Sequence, residues 1–330
     1  MAEIYQRSTG CMEEEQIFGE QALHFTCNTK VGRILTNLIL KRKFVSKIAA
    51  HHYKTRRSAK KIPEFLQKYH IDSSQLSKAP GEYRSFNEFF TRKLERPYSS
   101  DPNLLISPAD SRLIVHKIEE GAVFSVKGQL YTVVEFLSDG GQTPCRNSRE
   151  AASPNKVEGS CKNMTGKQNF TGQGSDPLPQ DGEALRFQNG LCLVFRLCPT
   201  DYHRFCFPDS GTWDEIIPIK GNYNTVNTFF TSSRVHATNY REKTILHTEN
   251  FGEVAFVEVG AMLIGKIVQT AECPGHFTKG QEKGYFEYGA STIVMLLEEG
   301  RVRIDEDILA QSARGVECVV KCGEVIGRKL

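Results

Sequence analysis

Three short stretches of the sequence pair side chains that can move protons or attack carbonyl carbons with residues that turn the chain. "SPAD" carries Asp110, "DYHRFCFP" carries Asp201, His203 and Cys206, and "YGAST" carries Ser291. A carboxylate, an imidazole, a thiol and a hydroxyl are the groups used in general acid–base and nucleophilic catalysis. Taken singly, each also has an ordinary role. An Asp after Pro-Ala usually turns or caps the chain, a His in a strand is usually structural, and a Ser at a strand junction is usually a turn residue. The serine is the least ordinary of the three. Gly284 to Phe286 lead into Tyr288-Gly289-Ala290-Ser291-Thr292, and the apolar run Ile293 to Leu297 follows at once. Two strand-like segments meet there without the Asn-Gly or Asp-Gly of a common hairpin.

The elements that must position these groups change character at Pro97. Before it, "VGRILTNLILKRKFVSKIAAHHYKT" places apolar residues at close to helical spacing, with a basic opposite face. A helical region is therefore expected over 31–70, continuing through "IPEFLQKYHI" with Pro63 near a helix start. "SFNEFFTRKLERP" predicts a short helix, with Ser85 as N-cap and Glu88 completing a capping box. After Pro97, "LCLVFRLCP", "GEVAFVEVGAMLIGKIVQT" and "GYFEYGASTIVMLL" are short, β-branched and punctuated by glycine, the pattern of an antiparallel β domain. The expected class is α+β: a polar leader over 1–30, a helical membrane-associating region over 31–97, and a β-rich catalytic domain over 98–330. The stretch from about 140 to 182 is nearly free of aliphatic residues and rich in Gly, Ser, Asn, Pro and Gln, and reads as a disordered surface insertion.

Composition bounds the function. With 39% hydrophobic and 25% charged residues, the 330-residue chain has the make-up of a globular protein with ample core. A net charge of +3 is too small to argue for nucleic acid. The cations are concentrated instead: Lys41, Arg42, Lys43, Lys47, Lys54, Arg56, Arg57, Lys60 and Lys61 occur with no acid among them. A basic helical face of this kind fits an anionic lipid surface. Ten cysteines include no CxxC pair, and Cys318 and Cys322 are spaced unlike a zinc site, so reduced thiols and no metal are expected. No run approaches 18 apolar residues, and the acidic start "MAEIYQRSTGCMEEEQ" is unlike a secretory signal. A peripheral, cytosolic-facing membrane protein is the expectation.

In order along the chain, "FNEFFTRKL", "SPADSRL", "PTDYHRF", "VNTFF", "NYREKT", "GEVAFVEVGAMLIGKI" and "KGQEKGYFEYGAST" resemble the phosphatidylserine decarboxylase family, type II-like. The resemblance spans about 30–138 and 185–325. It implies a pyruvoyl group made from the chain itself. Ser291 would attack the carbonyl before it, the Ala290–Ser291 bond would break, and a β chain of 1–290 and an α chain of 291–330 would result. The pyruvoyl derived from Ser291 serves as electron sink, so neither pyridoxal phosphate nor a metal is needed. The substrate implied is phosphatidylserine in an anionic membrane surface, and homodimers are usual in the family. The family's Asp–His–Ser relay falls on Asp110, Cys206 and Ser291, while His203 matches the histidine linked with protonation after CO₂ leaves.

Two of these positions depart from the family pattern. Cys206 stands where the relay histidine is expected, and Ala290 stands where a glycine precedes the serine; Lys266, in "GKI", is a milder difference. Losing a positioned base typically costs about 10²–10⁴ in rate, although self-cleavage happens only once per molecule. Two readings follow: a decarboxylase that matures slowly or by an altered relay, and an uncleaved pseudoenzyme or phospholipid-binding paralogue. A decarboxylase of free aromatic amino acids is a third, which the basic 41–61 segment disfavours.

Overall fold

The run Ser291–Leu297 is apolar throughout because both of its faces are covered. Ile293, Met295 and Leu297 enter one hydrophobic core with Phe205, Phe256 and Phe286, and Val294 and Leu296 enter another with Phe124, Phe136 and Val257. A strand buried on both sides loses the alternation that marks a half-exposed one. The structure, a computed structural model, describes residues 3–15, 51–69, 71, 73, 76–126, 129–138, 182–221, 235–260, 266–288 and 291–330. Residues 31–50, the expected 140–182 insertion apart from Gly182, and Gly289 and Ala290 lie outside the described residues.

Among the described residues the fold is mostly β. The serine strand lies within an eleven-stranded sheet, antiparallel to Gly252–Val259 on one side and Leu191–Leu197 on the other. Beyond Leu191–Leu197 come Ser111–Lys117 and then Glu317–Val320. The polar leader supplies the next two strands: Glu3–Gln6 runs parallel to Glu317–Val320 and pairs with Cys11–Glu14. A separate three-stranded sheet, Ile267–Gln269, Glu282–Phe286 and Arg204–Cys206, covers the serine-bearing face of the large one. Its strands approach closely at Gly284, where a Cβ would stand 2.3 Å from the Val268 carbonyl oxygen and 2.8 Å from the Phe205 ring.

Over its described residues, 51–69, the expected helical region is interrupted between its two helical pieces. A helical stretch at 51–54 ends at the extended Thr55 and is followed by a 3₁₀ turn, Arg56–Lys61, and the helix Ile62–Lys68, with Pro63 in its first turn. The helix Phe86–Phe90 begins as expected, the Ser85 hydroxyl accepting the Glu88 N–H at 3.2 Å. The Glu88 carboxylate, however, accepts from the Arg84 N–H at 2.7 Å rather than from Ser85. Ser58, buried, accepts the Phe86 N–H at 2.9 Å and ties these pieces together. They share one aromatic cluster: Ile62, Phe65, Tyr83, Phe86, Phe89 and Phe90 pack with Tyr288. Phe86, Phe89 and Phe90 are thus core residues.

Candidate active site

Ser291 is the first residue of its strand, opposite Leu197, and is fully buried. Its hydroxyl makes no hydrogen bond among the described residues. An unsatisfied buried hydroxyl costs about 1–3 kcal/mol, so this side chain is not there for stability. The segment before it is gripped from the N-terminal side. Tyr53 and Tyr288 rings lie 3.8 Å apart, the Tyr288 N–H donates to Asn87 Oδ1 at 3.2 Å, and Lys54 pairs with Glu287 at 2.7 Å. This anchoring of the junction was not read from the sequence. The signal was present in "SFNEFF", whose apolar spacing required a partner that the sequence did not name.

Asp110 and Cys206 each contact Cys322, Asp110 through the Cys322 N–H and Cys206 through its sulfur. Asp110 is buried, and its carboxylate accepts from Arg96 at 2.9 Å, from Lys321 at 3.3 Å and from the Cys322 backbone N–H at 2.9 Å. The Cys206 N–H donates to the Pro108 carbonyl at 2.9 Å, which fixes the "SPAD" turn against the Arg204–Cys206 strand. The Cys206 sulfur lies 3.5 Å from that of Cys322. Both thiols pack with Ile106 and Tyr202.

His203 is placed elsewhere. Phe205 points into the main core while Cys206 joins a separate cluster, as alternation along a strand requires. The His203 ring is fully buried, stacks on Phe90 at 3.9 Å, and has Nδ1 2.9 Å from the Asp201 carbonyl oxygen. Phe90 in turn touches Tyr288 at 5.2 Å. His203 is thereby joined to the chain just before the junction, and Cys206 to Asp110.

Beneath these groups lies a buried ionic cluster. Arg196, opposite Thr292 across the sheet, pairs with Glu317 and with Glu15 at 2.9 Å, and Arg112 pairs with Asp201 and with Glu15 at 3.0 Å. Glu15 comes from the leader and belongs to this cluster; composition gave no hint of it. Burial pushes the Cys198 thiol up to about 12 against the pull of Arg112 and Arg196. For Asp201, burial raises the carboxyl, but Arg112, Lys321 and the Cys198 N–H outweigh it and hold it below its ordinary value. A depressed carboxyl stabilises the fold above its unfolded pKa of about 4 and stops doing so as pH falls through the folded value. Asp201→Asn is therefore expected to lower the denaturant midpoint at pH 7. The gap from wild type should narrow steadily below about pH 4; a gap that stays constant down to pH 2 would remove Asp201 from the acid response.

The family model described as phosphatidylserine decarboxylase matches residues 86–328. Among curated proteins, the chain is 38% identical to a phosphatidylserine decarboxylase proenzyme of Clostridium botulinum (strain Alaska E43 / Type E3), over the whole of both chains. It is 37% identical to that of Clostridium beijerinckii, and 36% to that of Clostridium botulinum (strain Kyoto / Type A2), again over the whole of each.

Proposed function

Because the chain belongs to the phosphatidylserine decarboxylase family, we propose that it is a proenzyme that cleaves itself between Ala290 and Ser291 and then converts phosphatidylserine to phosphatidylethanolamine with release of CO₂. The observation that carries the reading is the Ser291 hydroxyl, buried and without a hydrogen bond among the described residues, in a chain that matches proenzymes end to end. Ser291 Oγ loses its proton and attacks the Ala290 carbonyl carbon, turning the amide into an ester. Elimination across Cα–Cβ of residue 291 releases the Ala290 carboxylate and leaves dehydroalanine. Water converts this, with loss of ammonia, to a pyruvoyl group on residues 291–330. That ketone supplies an electron sink beside the departing carboxylate.

The remaining roles fall to this chain's own side chains. Asp110 is the orienting acid of the relay, and Cys206 or, in its place, His203 accepts the Ser291 proton. His203, oriented through Nδ1 by the Asp201 carbonyl, returns a proton to the substrate carbon. The aromatic cluster around Tyr288 keeps water from the junction. Arg56, Arg57, Lys60 and Lys61 are exposed on the segment that packs beside Tyr288 through Tyr53, Ile62 and Phe65. They bring an anionic lipid surface to the junction, at about 1 kcal/mol per cation. No helix among the described residues is long and apolar enough to cross a membrane. After cleavage, the strand Ser291–Leu297 stays paired on both edges, so the two chains remain one body.

The test is the mass of the purified protein under denaturing conditions, together with CO₂ release from phosphatidylserine vesicles. A fragment of residues 291–330 with a blocked N-terminus, and CO₂ released in step with its amount, is the expected result. A lasting single species of 37.1 kDa would instead assign the chain to the uncleaved, lipid-binding class.

A further inference from the structure

The Cys206 and Cys322 sulfurs lie 3.5 Å apart, buried beside Ile106 and Tyr202. Their backbones are moored to one turn, Ser107 to Asp110. On one side the Cys206 N–H donates to the Pro108 carbonyl at 2.9 Å. On the other, the Cys322 N–H donates to Asp110 Oδ1 and the Gly323 N–H to the Ser107 carbonyl, each at 2.9 Å. The Ser107 N–H closes this second attachment by donating to the Glu324 carbonyl at 2.7 Å. Two thiols held against each other from a shared anchor need approach by only about 1.5 Å to reach the S–S bond length of about 2.05 Å. Among the described residues no other two sulfurs are in contact. Cys322 follows Lys321, whose side chain is 54% exposed, so the pair lies one residue from solvent.

We infer that Cys206 and Cys322 form a reversible dithiol–disulfide site, oxidised by a small peroxide and reduced again by low-molecular-weight thiols. With hydrogen peroxide, the Cys206 sulfur bonds to one oxygen, the O–O bond breaks, and the other oxygen leaves as water with the Cys206 proton. The Cys322 sulfur then bonds to the resulting Cys206 sulfenic acid sulfur. The S–O bond breaks, and the hydroxyl leaves as a second water with the Cys322 proton. Two thiols are oxidised and one peroxide is reduced to two waters. The hydrogen bond to Cys206, followed by burial, holds the Cys322 thiol well above the ordinary thiol range. Cys322 is thus kept protonated as the resolving partner, and Cys206 reacts first. The two cysteines lie on opposite sides of the Ala290–Ser291 bond in the sequence. Once that bond is broken, the disulfide joins the 1–290 chain to the 291–330 chain, which are otherwise held by sheet pairing and packing. This last consequence rests on the proposed self-cleavage; the bridge itself does not.

The experiment treats the purified, reduced full-length protein with hydrogen peroxide, blocks free thiols and digests it with trypsin without reductant. The peptides Phe205–Lys220 and Cys322–Arg328 each contain one cysteine. They should appear as one linked species, with the mass of the pair less two hydrogens, and separate on adding dithiothreitol. On a denaturing gel without reductant, the 291–330 fragment of the oxidised protein should stay with the larger chain, and reductant should release it. In Cys322→Ser the linked species should be lost, and Cys206 should stop at a sulfenic acid captured by dimedone. Wild type in which dimedone captures Cys206 and no linked peptides form would overturn the inference, as would oxidation confined to other cysteines. Linked peptides in a chain that stays whole would uphold the bridge and remove self-cleavage instead.

Discussion

A Ser291→Ala chain is expected to remain a single 37.1 kDa species and to release no CO₂ from phosphatidylserine vesicles. Alanine removes the only atom in the proposed scheme that can attack the Ala290 carbonyl, and with it the ester oxygen whose elimination opens the way to the ketone. No partial activity should survive, in contrast to loss of a positioned base, which leaves a rate about 10²–10⁴ lower. The substitution should leave the fold intact or firmer, because the hydroxyl it deletes is buried without a hydrogen bond among the described residues. A variant with unchanged melting temperature and no 291–330 fragment meets both expectations. Appearance of that fragment would move the scissile bond to another residue. Cys206→His offers the complementary gain: an imidazole within reach of Asp110 should cleave faster than the thiol, read as a shorter half-life of the full-length chain.

Lys283→Ala is expected to lower the unfolding free energy by about 3–5 kcal/mol, the cost of leaving a buried charge without its partner. Lys283 and Glu258 are both fully buried; Nζ lies 2.5 Å from Glu258 Oε1 and 3.0 Å from Gln269 Oε1. The ammonium also sits 4.8 Å from the Trp213 ring centroid and 5.2 Å from that of Phe256. Burial already pushes the Glu258 carboxyl up in spite of Lys283. With the lysine gone, that rise should grow. A carboxyl whose folded pKa is raised gives most stability below its unfolded pKa of about 4.3 and loses it as pH rises through the folded value. The deficit of Lys283→Ala should therefore be smaller at pH 5 than at pH 8. Lys283→Met with Glu258→Leu, which removes both charges, should recover most of the loss. Denaturant titrations at the two pH values decide it, and a double variant as unstable as the single would show that packing, not charge, is responsible. Glu258 faces Ile293, two residues along the strand from Ser291. Disorder in this pair is thus expected to slow self-cleavage as well.

How far the sequence could be read depended on whether a feature is local. The Ser85 cap lies three residues from the N–H it meets, and the β pattern after Pro97 lies in neighbouring residues. Both were legible because hydrogen bonds within a turn and side-chain alternation within a strand are local. The apolar stripe of 31–48 lies outside the described residues, and the second helix expected at "IPEFLQKYHI" is present at Ile62–Lys68. Spacing reports an amphipathic face but not the extended Thr55 at which the helical turn at 51–54 ends. The bond from Phe86 to Ser58 and the aromatic cluster with Tyr288 hold that break, and these partners come from distant parts of the chain.

The sequence by itself determined the kinds of chemistry on hand: a serine at a strand head, an aspartate in a turn, and a histidine and a thiol three residues apart. Residues three apart face opposite ways only on an extended chain, and the structure, not the sequence, put Arg204–Cys206 in a strand. Only the tertiary structure decided which groups meet. Asp110, Cys206 and Cys322 converge from segments about a hundred residues apart. Glu15 of the polar leader enters a buried cluster with Arg112 and Arg196, and Tyr53 and Asn87 hold Tyr288 beside the junction. Such contacts follow from sheet register and from the burial of charge against charge. Both are set by the whole chain at once, and neither leaves a period or a spacing in the sequence.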